Sequence, residues 1–153
     1  MNQGNRRDFL AKTTAGSVAA IGASRLVRAA APQAAGEKIK VALIGCGGRA
    51  NSHRNAFEKI SDIVWVCDPD KRRLDSFEQA TGAKGTNDLR RVLDDKQVQA
   101  VVISTPDHWH APAAILACEA GKHVYVEKPC SHNFVEGALL VQAARKNKVV
   151  VQH

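Results

Sequence analysis

The chain has 153 residues, enough for one domain with a real core. Its formal charge is +7, but Arg6, Arg7, Lys12, Arg25 and Arg28 against Asp8 place +4 of that within the first 31 residues, leaving +3 for the rest. A balance so close to neutral offers no concentrated basic stripe and excludes nucleic acid as the natural partner.

The opening segment reads as an export signal. Arg6-Arg7-Asp8-Phe9-Leu10 is basic, Thr13 to Ser24 is uncharged and weakly apolar, and Ala29-Ala30-Ala31 supplies small residues. Paired arginines followed by Phe-Leu resemble a twin-arginine signal. The apolar run is too short and too polar to span a bilayer, so no stable membrane anchor is expected. Residues 1–35 are therefore expected to be signal peptide and linker, residues 36–153 a nucleotide-binding domain, and the protein periplasmic or otherwise exported.

From Lys38 the pattern becomes regular. Ile39 to Ile44 is a strand ended by Gly45, and Arg49 to Ile60 a helix. Between them Gly45-Cys46-Gly47-Gly48-Arg49-Ala50 matches G-x-G-x-x-A. The first glycine permits a tight turn, the second lets backbone approach a pyrophosphate, and the helix N-terminus stabilises the anion. Ile63 to Cys67 is a second strand, ended by Asp68, where an acid receives a ribose hydroxyl. Asp68 favours NAD, since a carboxylate repels a 2′-phosphate; Arg72 and Arg73 leave NADP open.

Lys71 to Thr81 is helical and stops at Gly82. A short third strand is expected over Ala83 to Thr86, then a helix over Asp88 to Asp94 with Asn87 as N-cap. Ala100 to Ile103 is a fully apolar strand. Ser104-Thr105-Pro106-Asp107-His108-Trp109-His110 follows it, on the edge that carries the glycine turn. His108 and His110, with Cys130 or His132, raise the question of a metal, but no third ligand has convincing spacing and none is assigned. Trp109 either covers the cofactor or a domain interface, or belongs to the core.

A helix over His110 to Ala120, closed by Gly121, leads into the strand His123 to Val126 and then Glu127-Lys128-Pro129. Phe134 to Lys146 is a helix with basic residues in its last turn, and Val149 begins a further strand. The chain is read as a fragment, stopping inside or just after that strand. Strands alternating with helices imply crossover units, a parallel sheet and an α/β doubly wound (Rossmann) fold. Cysteines 46, 67, 118 and 130 show no Cys-x-x-Cys spacing, so free thiols are expected, with Cys67 and Cys118 as small core residues.

Val41 to Ala50, Asp68, Thr105 to Ala111, Ala120 to Val124 and Glu127-Lys128-Pro129 together resemble the Gfo/Idh/MocA family, the glucose–fructose oxidoreductases, inositol dehydrogenases and related sugar oxidoreductases. The resemblance covers residues 38 to 153. It implies NAD(P) as cofactor, with Gly45, Cys46, Gly47, Gly48 and Arg49 along the pyrophosphate loop, Asp68 at the adenosine ribose, and Ser104, Thr105, Pro106 and His108 flanking the cofactor. Glu127 and Lys128 would sit near the nicotinamide ribose and substrate, and Lys128-Pro129 would be cis. It also implies a second, substrate-binding domain that this chain lacks.

Hydride removal from an alcohol needs a group to take the hydroxyl proton, and Lys128 is the candidate. Its structural alternative is an ion pair with Glu127. The functional expectation is hydride transfer between NAD(P) and a sugar or polyol hydroxyl, in a homo-oligomer when full length. The alternatives are a non-catalytic dinucleotide-binding module, or NAD-dependent glycoside cleavage. A sugar-like small molecule and the twin-arginine export machinery are the expected partners.

Overall fold

A computed structural model describes residues 37–153; the expected export signal lies outside them. Six strands alternate with helices: β1 (Ile39–Ile44), α1 (Gly48–Ile60), β2 (Ser61–Cys67), α2 (Lys71–Thr81), β3 (Lys84–Thr86), α3 (Leu89–Asp94), β4 (Ala100–Ile103), α4 (His110–Glu119), β5 (His123–Val126), α5 (Phe134–Asn147) and β6 (Val151–Gln152). One turn of 3₁₀ helix, Asp107–Trp109, leads into α4.

All strand pairs are parallel, in the order β3-β2-β1-β4-β5-β6. This is the doubly wound order, and its direction reverses between β1 and β4, where such sheets hold their ligands. The register aligns Cys67, Ile44, Ile103 and Val126 across four strands. The next residue of each strand is therefore Asp68, Gly45, Ser104 or Glu127, and these four form one row along the carboxyl edge.

Period-two alternation sends successive side chains to opposite faces. Ala42, Ile44, Val101 and Ile103 pack on one side with Ala113, Ala114, Ala117 and Cys118 of α4 and Leu140 of α5. Leu43, Val66 and Val102 pack on the other with Ala50 of α1 and Leu74 and Phe77 of α2. Because both faces are covered, the central strands are apolar over Val41 to Ile44 of β1 and Ala100 to Ile103 of β4. Ile103 is fully buried, and cutting it to alanine would cost on the order of 3 kcal/mol.

Several boundaries differ from the sequence reading by a residue or two, and three have a local cause or context. The N-cap of α3 is Asp88, whose side chain accepts from the Arg90 amide, and not Asn87. The last strand begins at Val151 because Val149 N donates to Ala144 O, closing α5, and Val150 N donates to His123 Nδ1. The second strand starts at Ser61, directly after α1. Cys67 and Cys118 are buried core residues as expected, and all four thiols are free.

Candidate cofactor site

The row Asp68, Gly45, Ser104, Glu127 is the foundation of the site. At its centre Gly45 has φ +86, and a Cβ there would meet Ser104 C and Thr105 N at 2.8 Å. Only glycine lets β1 turn this close to the loop after β4. Gly47 and Gly48 face open space. Gly47 is the N-cap of α1 and carries no capping side chain. The first turn of α1 thus presents uncapped amides to the region beside the turn, a setting suited to an anion.

Two cavities lie along the row. The larger, about 790 Å³, is lined by Gly45, Asp68, Arg73, Pro106, His108 and Trp109 among others. The smaller, about 420 Å³, is lined by Arg49, Ser104, Thr105, Asp107, His110, Glu127 and Lys128. Thr105 lines both, and its buried Oγ1 has no protein partner. A buried hydroxyl left unpaired where two cavities meet fits a ligand that spans them. With the open ground at Gly47 and Gly48, these residues suit a dinucleotide.

Asp68 is 4 % exposed. Its Oδ2 accepts from Cys46 N at 2.7 Å and its Oδ1 from Asp70 N at 2.8 Å. Asp68 therefore braces the glycine loop as well as lining the larger cavity, a role invisible in the motif. Cys46 departs from its expected place: its amide is taken by Asp68, its side chain is buried, and it lines neither cavity. Burial, with the Asp68 charge beside it, pushes its thiol up to about 12, and the same two effects push Cys67 to about 11.

Glu127 is buried at the other end of the row. Oε1 accepts from Arg49 Nε at 2.5 Å and lies 2.9 Å from His53 Nε2, while Oε2 accepts from Lys128 N at 3.0 Å. Burial pushes its carboxyl upward, but the Arg49 hydrogen bond, the Lys128 amide and the nearby positive charge outweigh it, and the net direction is down. The ion pair formed by Glu127 is thus with Arg49, not Lys128. Lys128 is exposed in the smaller cleft, joined to Pro129 by a cis peptide bond.

Sequence reasoning missed His53 altogether and weighed His110 only as a metal ligand. His53 lies one turn beyond Arg49 on the same face of α1, and that spacing was the available signal. His110 is buried between two carbonyl oxygens, with Nδ1 2.6 Å from Pro129 O and Nε2 2.8 Å from Thr105 O. It ties the loop after β4 to the Glu-Lys-Pro turn. His108 is exposed at the larger cavity. Among the described residues no group of three or more His, Cys, Asp or Glu side chains is placed to hold a metal. Trp109 is 51 % exposed at the larger cavity, so it is not core.

The family model described as an oxidoreductase family with an NAD-binding Rossmann fold matches residues 39–153. The chain belongs to the Gfo/Idh/MocA family. Among curated relatives of this family, a levoglucosan dehydrogenase of Pseudarthrobacter phenanthrenivorans is 29% identical over 74% of this chain and 32% of its own length. A glycosyl hydrolase family 109 protein of Shewanella pealeana is 31% identical over 94% of this chain and 38% of its own. Among solved Gfo/Idh/MocA-like structures, the WlbA dehydrogenase of Chromobacterium violaceum, in complex with NADH and UDP-GlcNAcA, is 35% identical with a TM-score of 0.75, covering 80% of this chain and 36% of that one. GenD2 from gentamicin A biosynthesis, in complex with NAD, is 33% identical with a TM-score of 0.74, covering 76% and 34%. The chain spans about a third of the length of these relatives. Its cofactor is a nicotinamide dinucleotide, as across the family.

Proposed function

We propose that this chain is the cofactor-binding part of an exported oxidoreductase that moves a hydride between NAD(P) and a hydroxyl-bearing carbon of a sugar-like substrate. The observation that carries the reading is the position of Lys128. Lys128 lines the smaller cleft together with Ser104 and Thr105, at the carboxyl edge of the sheet, and Glu127 is already committed to Arg49 and His53. Lys128 is thereby left to serve the substrate.

The dinucleotide supplies the hydride acceptor at its nicotinamide ring. Asp68 would hold the adenosine ribose, Gly47 and Gly48 would give room for the pyrophosphate, and Lys128, as the neutral amine, would take the alcohol proton at Nζ as the carbonyl forms. The substrate class is suggested by relatives named for levoglucosan oxidation and by a neighbour solved with a nucleotide sugar. A second reading, in which oxidation initiates glycoside cleavage and the hydride later returns, is favoured by the family 109 relatives. Export rests on the twin-arginine pattern of the first 31 residues, and assembly into a homo-oligomer is proposed with it.

The deciding experiment replaces Lys128 by methionine in the full-length protein. Retained NAD with turnover lost on sugar and glycoside substrates is expected. Unchanged turnover removes Lys128 from the chemistry. No turnover by the unmodified protein on any such substrate, with NAD still bound, favours a non-catalytic module.

A further inference from the structure

His53 has no part in the chemistry above, yet it is 6 % exposed and lies behind two residues that line the smaller cleft. Nδ1 is 2.8 Å from Ser104 Oγ and Nε2 is 2.9 Å from Glu127 Oε1. Tyr125 packs edge-on against the ring, with centroids 5.3 Å apart, and fixes its plane.

The hydrogen positions follow from the partners. An ionised carboxylate only accepts, so the Nε2 nitrogen carries a proton toward Glu127. The same oxygen already receives Arg49, and the second receives the Lys128 amide. One anion is thus matched by one guanidinium. With a single proton on Nε2, Nδ1 presents a lone pair, and Ser104 Oγ–H donates to it. The serine has no other proton, so only its lone pairs are left for the cleft.

We propose that His53 is a positioning residue that makes Ser104 an obligate hydrogen-bond acceptor, so that this wall of the cleft selects ligands carrying an N–H or O–H donor, such as the carboxamide of nicotinamide, over acceptor-only groups. The inference rests on the placing of the reacting ring beside Lys128 and deepens it by stating which chemical face the ring must offer.

Two measurements on the intact chain test it. Nitrogen-15 NMR of the imidazole near neutral pH, without ligand, is expected to show the Nε2–H tautomer. A proton on Nδ1 overturns the proposal, because Ser104 would then be free to donate into the cleft. The second measurement compares affinity for NAD with that for its nicotinic acid analogue. An unmodified preference for the amide of about tenfold is expected, falling to within about threefold in Ser104→Ala and His53→Leu. His53→Gln should keep it, since its amide can accept from Ser104 and donate to Glu127. Equal preference in Ser104→Ala and the unmodified chain, or His53→Gln behaving as His53→Leu, sinks the proposal. If His53→Leu fails to fold, Ser104→Ala and His53→Gln still decide. If neither dinucleotide binds, the cofactor placement has failed, and the tautomer alone decides the polarity.

Discussion

Arg49 and Glu127 are 78 residues apart in sequence, and their side chains meet at 2.5 Å. The contact ties the glycine-rich turn of β1 to the Glu-Lys-Pro turn of β5, the two segments that must agree if a ligand is to lie across them. The partners are unequal, with the Arg49 side chain 62 % exposed and that of Glu127 8 %.

That inequality sets the order of two variants. Glu127→Ala strands His53 Nε2 and frees Arg49, and should lower unfolding stability by about 2 kcal/mol. Arg49→Ala leaves the carboxylate with His53 and the Lys128 amide, and the lost pair is partly solvated. It should cost about 1 kcal/mol or less. Urea denaturation of both variants checks the ranking, and an equal cost would contradict it.

Acidification should act through the same carboxylate. Its folded value is depressed below the ordinary glutamate value of about 4.5. The unfolded chain therefore takes up the proton first as pH falls. The stabilisation is complete above that value and is lost as pH falls through the depressed one. Asp70, held down by the Arg72 amide, and Asp88, held down by the Arg90 side chain, share the direction. Glu127→Gln should thus flatten the acid limb of a urea-midpoint profile without abolishing it.

Two glycines in one motif should respond differently. Gly45→Ala places a Cβ against the backbone of Ser104 and Thr105 at φ +86, and should destabilise by about 2 kcal/mol or more. Gly48→Ala meets nothing within 4 Å, and should leave stability unchanged or slightly raised. It should nonetheless weaken NAD binding severalfold if the pyrophosphate lies where proposed, because the added methyl would occupy that open ground. Calorimetric titration beside thermal melting separates the two effects.

The tryptophans give an optical test. Trp109 is exposed at the larger cavity, whereas Trp65 Nε1 donates to Asp95 Oδ2 at 2.8 Å. Binding of oxidised NAD should change the emission of Trp109, and Trp109→Phe should remove most of the change. Trp65→Phe should preserve it.

The parallel sheet was legible because its strands are short apolar runs bounded by glycine and acidic turns. Gly82 and Gly121, both at positive φ, marked the ends of α2 and α4. The end of α5 had no such marker, since Lys148 takes the left-handed position at φ +56 that glycine usually fills. The helix runs one residue further than its pattern suggests. Within the site, the glycine turn, Asp68 and the Lys128 turn were readable as local motifs. The partnerships of Glu127 with Arg49 and of His53 with Ser104 were not, because they join segments that only the sheet brings together. Asp68 shows the same limit, its tie to Cys46 being a contact between two strand ends.

The aligned strand ends also act as a ruler. Three strand spacings of about 4.8 Å put Asp68 and Glu127 about 14 Å apart along the edge. A molecule touching both must be long and jointed, and half of one reaches a single end. Adenosine monophosphate and nicotinamide mononucleotide should therefore bind side by side without displacing each other. Either one alone should be held far more weakly than the joined dinucleotide, whose second half arrives already tethered.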